Sequence, residues 1–187
     1  GNDNYEAAPS VTRTITISKA SSALSGFANV TKTYGDVDFT VSAPTSSVAG
    51  TIAYSSSDAT VASVSGTTID VGNAGTATIT ATLTPTESGK YDTSTTTMTI
   101  TVNKANPTLG TFAAITKTYG DAAFGLTAPT ASVAGSFAYS SSNASVASVT
   151  GSVATVVAPG TATITATFTP TDTSNYETAS TTMTMTV

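Results

Sequence analysis

The sequence predicts an all-β protein, and three observations lead to this prediction. Threonine alternates with small apolar residues over short stretches of the chain, and such alternation is typical of half-buried antiparallel strands. Turn-forming residues separate these stretches at intervals of roughly 6 to 12 residues, as in a sandwich or a small barrel. No segment shows sustained helical periodicity. Because threonine is β-branched and stiff at its first side-chain torsion, its abundance also favours strands.

The individual strands follow from this alternation in chain order. Short strands are predicted at residues 39–41, 52–55, 61–64 and 69–71. The clearest strand covers residues 76–83, where alanine, isoleucine and leucine fall on one face and four threonines on the other. A closing strand over residues 97–102 alternates Met98, Ile100 and Val102 with threonine. Turns containing Gly, Pro or Asn separate these strands.

Composition excludes several classes of function. The 187-residue chain has no Cys, His or Trp, which excludes disulfides, thiolate or imidazole metal sites and histidine-based nucleophilic triads. Six Lys and Arg against a net charge of −5 are too few to displace counterions from phosphates, so no nucleic-acid partner is expected. No apolar run approaches the ~18 residues of a membrane span, so no membrane insertion is expected. Because it begins at Gly1 without Met, the chain is interpreted as a processed or excised piece.

A tandem repeat organises the chain. The motif TKTYGD occurs at residues 31–36 and again 85 residues later. With the same shift and no gaps, residues 19–102 and 104–187 agree at about 60% of positions, the signature of tandem duplication. We therefore define repeat 1 as residues 19–103 and repeat 2 as residues 104–187. Each repeat is predicted to bury its own core.

Residues 1–18 are predicted to be the closing strand of a preceding repeat. Residues 5–20 resemble residues 91–105, which contain the closing strand of repeat 1. The face that would point inward consists of Val11, Arg13, Ile15 and Ile17. Arg13 occupies the position of Met98, and we interpret it as an edge residue whose guanidinium reaches solvent. The alternative is that this face belongs to a donor strand that completes the sheet of a neighbouring subunit.

The joint between the repeats is predicted to be a short interdomain linker. Its residues are Val102, Asn103, Lys104, Ala105, Asn106 and Pro107. Because proline restricts the backbone, we expect this linker to bend little. One turn differs between the copies, since residues 72–75 read GNAG whereas residues 157–160 read VAPG. We expect the second turn to be the stiffer one.

The pattern of one repeat carries a family resemblance. Six or seven strands in about 85 residues fit an immunoglobulin-like β-sandwich, although the Cys and Trp of antibody domains are missing. Residues 50–82, GTIAYSSSDATVASVSGTTIDVGNAGTATITAT, resemble the bacterial immunoglobulin-like (Big-type) repeats. The TKTYGD motif followed by Phe39 resembles the related MBG-type repeats of very large secreted surface adhesins. The resemblance implies tandem immunoglobulin-like β-sandwich domains and no cofactor.

The same resemblance implies a structural role outside the cell. We expect a stalk or spacer segment of a long, repetitive bacterial cell-surface adhesin, with gliding-motility adhesins as one candidate subgroup. Two alternatives stay open: a subunit of an extracellular, phage or viral fibre assembled by strand exchange, and an immunoglobulin-like module that binds carbohydrate or protein. The expected partners are neighbouring repeats of the same polypeptide, with self-association into filaments under the fibre alternative. The recurring Tyr34, Tyr54 and Tyr91 are interpreted as core residues rather than as a carbohydrate-stacking surface.

No catalytic residue, and hence no enzyme activity, is predicted. The acidic residues are spread over turns without the close pairing that a glycosidase needs. Asp36 and Asp38 form the best local cluster for Ca²⁺, a weak metal candidate because repeat 2 keeps only one of these carboxylates. Asp36 and its counterpart Asp121 are interpreted instead as caps of tight turns through Asx hydrogen bonds.

Overall fold

The computed structural model describes residues 8–187, and every regular element in this part of the chain is a β-strand. In chain order the strands are β1 (Leu24–Ser25), β2 (Val30–Thr33), β3 (Phe39–Thr40), β4 (Thr45–Ser46), β5 (Gly50–Ser56), β6 (Ala62–Ser65), β7 (Thr68–Val71), β8 (Gly75–Pro85), β9 (Ser94–Asn103), β10 (Ile115–Thr116), β11 (Phe124–Gly125), β12 (Gly135–Ser141), β13 (Ala147–Thr150), β14 (Val153–Val156), β15 (Thr161–Pro170) and β16 (Ala179–Thr186). The all-β prediction is confirmed. Over the same residues, no helix has the length and apolarity to cross a membrane.

Two β-sandwiches follow one another along the chain. In repeat 1 a four-stranded sheet in the order β2-β9-β8-β5 packs on a three-stranded sheet in the order β3-β7-β6. Repeat 2 has the same arrangement, with β10-β16-β15-β12 packed on β11-β14-β13. The small β1-β4 sheet of repeat 1 corresponds to an isolated bridge between Leu109 and Ala131 in repeat 2. These sheets confirm the predicted immunoglobulin-like sandwich fold.

Strand β8 shows how the alternating sequence builds the core. Its four apolar side chains from Ala77 to Leu83 are buried, whereas the threonines between them point to the opposite face and stay partly or fully exposed. Met98 of β9 lies opposite Ile79 in the antiparallel register and is buried as well. Repeat 2 builds an equivalent core from β15 and β16. Removing this apolar surface from water is the main favourable term in folding each sandwich.

The strand β2 of repeat 1 pairs with the last strand, β9, in parallel. The two run alongside each other from the pair Val30–Ile100 to the pair Thr33–Asn103. In repeat 2 the parallel pair is β10 with β16. The remaining strand pairs of both sandwiches are antiparallel. Periodicity does not encode which strands become neighbours, so this parallel pairing lies beyond the sequence prediction.

Several strand ends differ from their predicted positions. β3 covers two of the three predicted residues. β6 begins one residue later than predicted, because the N–H groups of Val61 and Ala62 both donate to the Asp58 carbonyl in a turn. β9 is longer at both ends than the predicted closing strand, because it pairs with β8 from Gly75 to Leu83.

Residues 8–18 lie outside the strands and sheets. The side chains of Val11, Arg13, Ile15 and Ile17 are exposed, and Ile17 is 91% exposed. The first seven residues of the predicted 1–18 segment lie outside the described residues. The interpretation of this segment as a closing strand, or as a donor strand, stays a prediction.

Candidate functional site

The two repeats meet at a joint with a single residue between paired segments. β9 ends at Asn103, whose carbonyl accepts a hydrogen bond from the Tyr34 N–H at 2.8 Å. Lys104 follows, and Ala105 is already paired with Tyr176 of repeat 2 as a parallel bridge. The chain therefore passes from the last strand of one sandwich almost directly into the other.

The predicted linker is tied to both repeats. Val102 is buried in the core of repeat 1, and Pro107 is buried on the side of repeat 2. The Ala105 N–H donates to the Asn175 carbonyl at 2.9 Å, and the Ala105 carbonyl accepts from the Glu177 N–H at 3.0 Å. The exposed linker residues are Asn103, Lys104 and Asn106. These hydrogen bonds fix Ala105 to repeat 2 and leave Lys104 as the single residue between the paired segments.

The side chain of Asn175, in repeat 2, is hydrogen-bonded to repeat 1. Its side-chain Oδ1 accepts a hydrogen bond from the Ala74 N–H at 2.8 Å. Its Nδ2 donates to Asn73 Oδ1 at 3.3 Å and to Asp172 Oδ2 at 2.9 Å. Asn175 is only 7% exposed, and a buried amide is costly unless it is hydrogen-bonded. These three bonds satisfy it, two of them across the joint.

Asp172 fixes the orientation of Asn175. Its Oδ1 accepts the backbone N–H groups of Ser174 and Asn175, each at 3.2 Å. The hydrogen bond from the Asn175 side chain is the main cause that lowers the pKa of Asp172, and these N–H groups and the charge of Lys104 act in the same direction. The carboxylate therefore stays ionised at neutral pH and keeps accepting from the Asn175 amide.

An aromatic contact also spans the joint. The rings of Tyr34 and Tyr176 lie edge to face, with centroids 5.3 Å apart and an interplanar angle of 81°. Aromatic pairs in this geometry are worth about 0.5–1.5 kcal/mol beyond their area burial. The counterpart of Tyr34 in repeat 2, Tyr119, is 67% exposed.

The turn that receives Asn175 depends on a glycine. The Gly72 N–H donates to the Val61 carbonyl at 2.9 Å, and the Asn73 N–H donates to the Thr60 carbonyl at 2.8 Å. A Cβ on Gly72 would collide with that Thr60 carbonyl. Only glycine therefore allows the backbone of residue 72 to lie so close to Thr60. This turn places the Asn73 side chain and the Ala74 N–H toward repeat 2.

The corresponding turn of repeat 2 has a different backbone. The N–H groups of Val157 and Ala158 both donate to the Val146 carbonyl, at 2.9 and 3.3 Å. The difference between GNAG and VAPG is thus a difference in hydrogen bonding. The expected greater stiffness of the second turn stays a prediction.

The acidic side chains of the weak calcium candidate are bonded to backbone. Asp36 Oδ2 accepts the Thr33 N–H at 2.8 Å, and Asp38 Oδ1 accepts the Val71 N–H at 3.0 Å. Asp121 accepts from the backbone of repeat 2 in the same way as Asp36. Among residues 8–187, no three His, Cys, Asp or Glu side chains are grouped so as to hold a metal ion. The calcium interpretation of Asp36 and Asp38 stays a prediction.

The lysines that recur in the two TKTYGD motifs lie over aromatic rings. Lys32 Nζ lies 4.9 Å from the centre of the Phe39 ring, and Lys117 Nζ lies 4.6 Å from that of Phe124. Such cation–π contacts contribute about 0.5–1 kcal/mol at exposed sites. The motif therefore has a structural use in both repeats.

The second recurring tyrosine is half-buried and packs against the core of each sandwich. Tyr54 contacts Phe27 at 5.9 Å between ring centres, and Tyr139 contacts Phe112 at 6.0 Å. Burial raises the pKa of Tyr54. Next to these aromatic pairs lie two shallow clefts of 180 and 300 Å³, one in each repeat and both lined by the Phe residue. Their recurrence makes them features of the sandwich.

Sequence reasoning missed Asn175. Its signal is a difference between copies, because Asn175 stands where Lys90 stands in repeat 1 although the next residue is tyrosine in both. The turn opposite, residues 72–75, differs between the copies as well. Two differences that face the same joint could have indicated the contact.

No protein-family model matches the chain, and no curated protein matches it. The chain is similar in structure to Drosophila N-cadherin EC1-4 (13% identity, TM-score 0.39), covering 90% of this chain and 49% of that one. It is similar to the titin domains z1z2 in complex with telethonin (13%, TM-score 0.41), covering 91% and 98%. It is also similar to domains 4 and 5 of the S-layer protein SbsC (21%, TM-score 0.25), covering 75% and 73%. The chain thus spans about half of the N-cadherin fragment.

Proposed function

We propose that this chain is a structural spacer made of two self-contained immunoglobulin-like domains, repeat 1 and repeat 2. The observation that carries the proposal is the joint, where one residue, Lys104, separates the paired segments of two sandwiches. Each sandwich has its own cluster of buried residues, so neither needs the other to close its core. A short joint between folded units holds them end to end rather than letting them collapse together.

The proposed setting is the stalk of a long, repetitive bacterial cell-surface adhesin, outside the cell. The similarity of residues 50–82 and of the TKTYGD motif to repeats of such adhesins supports this setting. A surface of exposed polar threonines and a net charge of −5 suit a rod that must stay apart from other rods. Gliding-motility adhesins are the subgroup that we propose first. In this role the chain binds its neighbouring repeats and catalyses no reaction.

The parallel pairing of β2 with β9 suits a spacer under tension. Force applied at the two ends of repeat 1 pulls β2 and β9 in opposite directions along their length. The backbone hydrogen bonds from the pair Val30–Ile100 to the pair Thr33–Asn103 then bear the load together rather than one after another. The parallel pair in repeat 2 joins only two residues of β10 to β16. We therefore expect repeat 2 to give way at the lower force.

Single-molecule stretching of the chain tests the spacer proposal. Two separate unfolding events are expected, and each releases at most about 280–310 Å of extended chain, less the folded length, because a residue spans about 3.3–3.6 Å. A variant in which Ile164 is replaced by Ala should lower only one of the two forces. A single unfolding event that releases the length of both repeats would contradict the proposal.

A second candidate function has its own observation. Val11, Ile15 and Ile17 are exposed and alternate with threonine, as an unpaired donor strand would. Under this alternative the segment completes a sheet in another chain and builds a fibre. Removing residues 1–18 would then abolish concentration-dependent assembly in sedimentation experiments. A spacer segment instead sediments as a folded monomer with or without these residues.

A further inference from the structure

The joint carries a further inference, which rests on the proposed spacer function. The turn of repeat 1 presents one backbone N–H, on Ala74, and one amide oxygen, on Asn73. The Asn175 side chain has an acceptor, Oδ1, and a donor group, Nδ2. The first accepts from the Ala74 N–H, and the second donates to Asn73 Oδ1. A side-chain amide of this length offers an acceptor and donors together, whereas lysine offers only donors. The two surfaces are therefore chemically matched.

The turn at the far end of repeat 2 lacks its half of this match. The 85-residue shift carries Asn73 to Ala158 and Ala74 to Pro159. Alanine has no side-chain acceptor, and proline has no backbone N–H to donate. Tyr119 nevertheless keeps the position of Tyr34 and is largely exposed. This end retains the aromatic residue of the joint and loses its hydrogen-bonding groups.

The loop at the near end of repeat 1 lacks the other half. Lys90 occupies the position of Asn175, and its ammonium pairs with Glu87 at 2.8 Å in an exposed salt bridge. Glu87 in turn stands at the position of Asp172. The hydrogen-bonded pair Asp172–Asn175 of repeat 2 is thus replaced in repeat 1 by the ion pair Glu87–Lys90, whose two members lie in the same loop.

We propose that Asn73, Ala74 and Asn175 form a lock that fixes the angle between the two repeats, and that the turn and its facing loop specify which joints are locked. A GNAG turn facing an Asn-Tyr loop makes a locked joint. A VAPG turn, or a loop with lysine before the tyrosine, makes a joint held by the tyrosines and the linker alone. The partner that fits the locked surface is therefore a repeat of this fold that carries the asparagine. An array built from such repeats consists of stiff pairs separated by more mobile joints.

Distance measurements between spin labels test the lock. The chain has no Cys, so cysteines introduced at Thr95 and Ser180 would be the only labelling sites. Both positions are exposed, and they correspond to each other in β9 and β16. Their separation reports the arrangement of the repeats, and the width of the distance distribution reports the mobility of the joint. A narrow distribution is expected for the parent chain.

Two variants replace a residue of the lock by its counterpart in the other repeat. Asn175→Lys removes the acceptor, and Ala74→Pro removes the donor and introduces the residue that repeat 2 has at position 159. Ala74→Pro removes one of the two hydrogen bonds across the joint, which should lower the ratio of locked to unlocked joints by about tenfold. Asn175→Lys removes both amide hydrogen bonds and should lower this ratio at least as much. Both should broaden the distance distribution while thermal unfolding shows that both repeats stay folded.

Lys90→Asn is the matched control, because it makes the reverse exchange on the outer loop of repeat 1. It should leave the distance distribution unchanged. The lock is contradicted if both Asn175→Lys and Ala74→Pro keep the parent width, or if Lys90→Asn broadens the distribution equally. A parent chain with a broad distribution would also overturn the lock. That result would leave the spacer function standing, provided that stretching still shows two unfolding events.

Discussion

The independence of the two cores can be tested with a matched pair of substitutions. Ile79 and Ile164 correspond to each other, both are 0% exposed, and each lies opposite a methionine on the neighbouring strand. Ile79→Ala deletes buried apolar atoms and leaves a cavity in repeat 1 only. Ile164→Ala does the same in repeat 2. Each substitution removes the same side chain from the same position of the sandwich, although core neighbours such as Ile69 and Ala154 differ, so the two costs should be of similar size.

The expected loss follows from measured core truncations. Replacing a fully buried isoleucine by alanine costs about 2–5 kcal/mol of the free energy of unfolding. A loss of about 3 kcal/mol lowers the midpoint of an 85-residue domain by roughly 12–24 °C, at about 4–8 °C per kcal/mol. Only the repeat that carries the substitution should shift. The other repeat should keep the parent midpoint, apart from the small contribution of the joint.

Differential scanning calorimetry combined with hydrogen exchange read out by mass spectrometry distinguishes the repeats. Calorimetry should show a second, lower transition in each variant, and exchange should assign it to β2–β9 for Ile79→Ala and to β10–β16 for Ile164→Ala. The reasoning fails if both repeats lose protection together in either variant. That outcome would mean that the two sandwiches unfold as one cooperative unit.

Two further outcomes follow from other contacts. Gly50→Ala should destabilise repeat 1 by about 1–3 kcal/mol in a denaturant titration. The reason is that the new Cβ would collide with the Thr84 carbonyl and lie 2.9 Å from Leu83 Cδ1. Gly89→Ala is the control and should be nearly neutral, because its Cβ would meet no atom within 4 Å. Since the pKa of Asp172 is lower in the folded state than in the unfolded state, its stabilising effect is complete at neutral pH and is lost as the pH falls below about 4. Thermal midpoints of repeat 2 should therefore decline less steeply with acid in Asp172→Ala, and an unchanged slope would contradict that role.

The sequence predicted the parts of the fold that depend on neighbours along the chain. The alternation over residues 76–83 indicated both the strand and its buried face, because side chains in a strand point to opposite faces in turn. The beginning of β6 was misplaced by one residue, since the hydrogen bonds that hold Val61 come from a turn. The parallel partner of β2 was not predicted, because its hydrogen bonds reach a strand about seventy residues away.

At the candidate site, too, features set by neighbours along the chain were predicted, whereas contacts between distant residues were not. The sequence predicts a short linker from the position of the closing strand. In the structure Val102 is buried in repeat 1, and Ala105 is hydrogen-bonded to repeat 2. The contact of Asn175 with Asn73 joins residues that are 102 positions apart, and no local pattern marks either of them. Their counterparts in the other copy, the half-buried Ala158 and the exposed Lys90, are residue types that are common in turns.

The pairing of β2 with β9 has a consequence for how such a chain acquires its structure. During synthesis from the N-terminus, β2 has no partner in its sheet until β9 has been made. Repeat 1 therefore cannot complete its four-stranded sheet before its last strand is available. Contacts this distant in sequence also slow folding, as in other all-β sandwiches. Once that strand arrives, the repeat closes without needing any residue of the next core. A long chain of these units can thus mature in order of synthesis, with unpaired strand edges confined to the newest unit however many precede it.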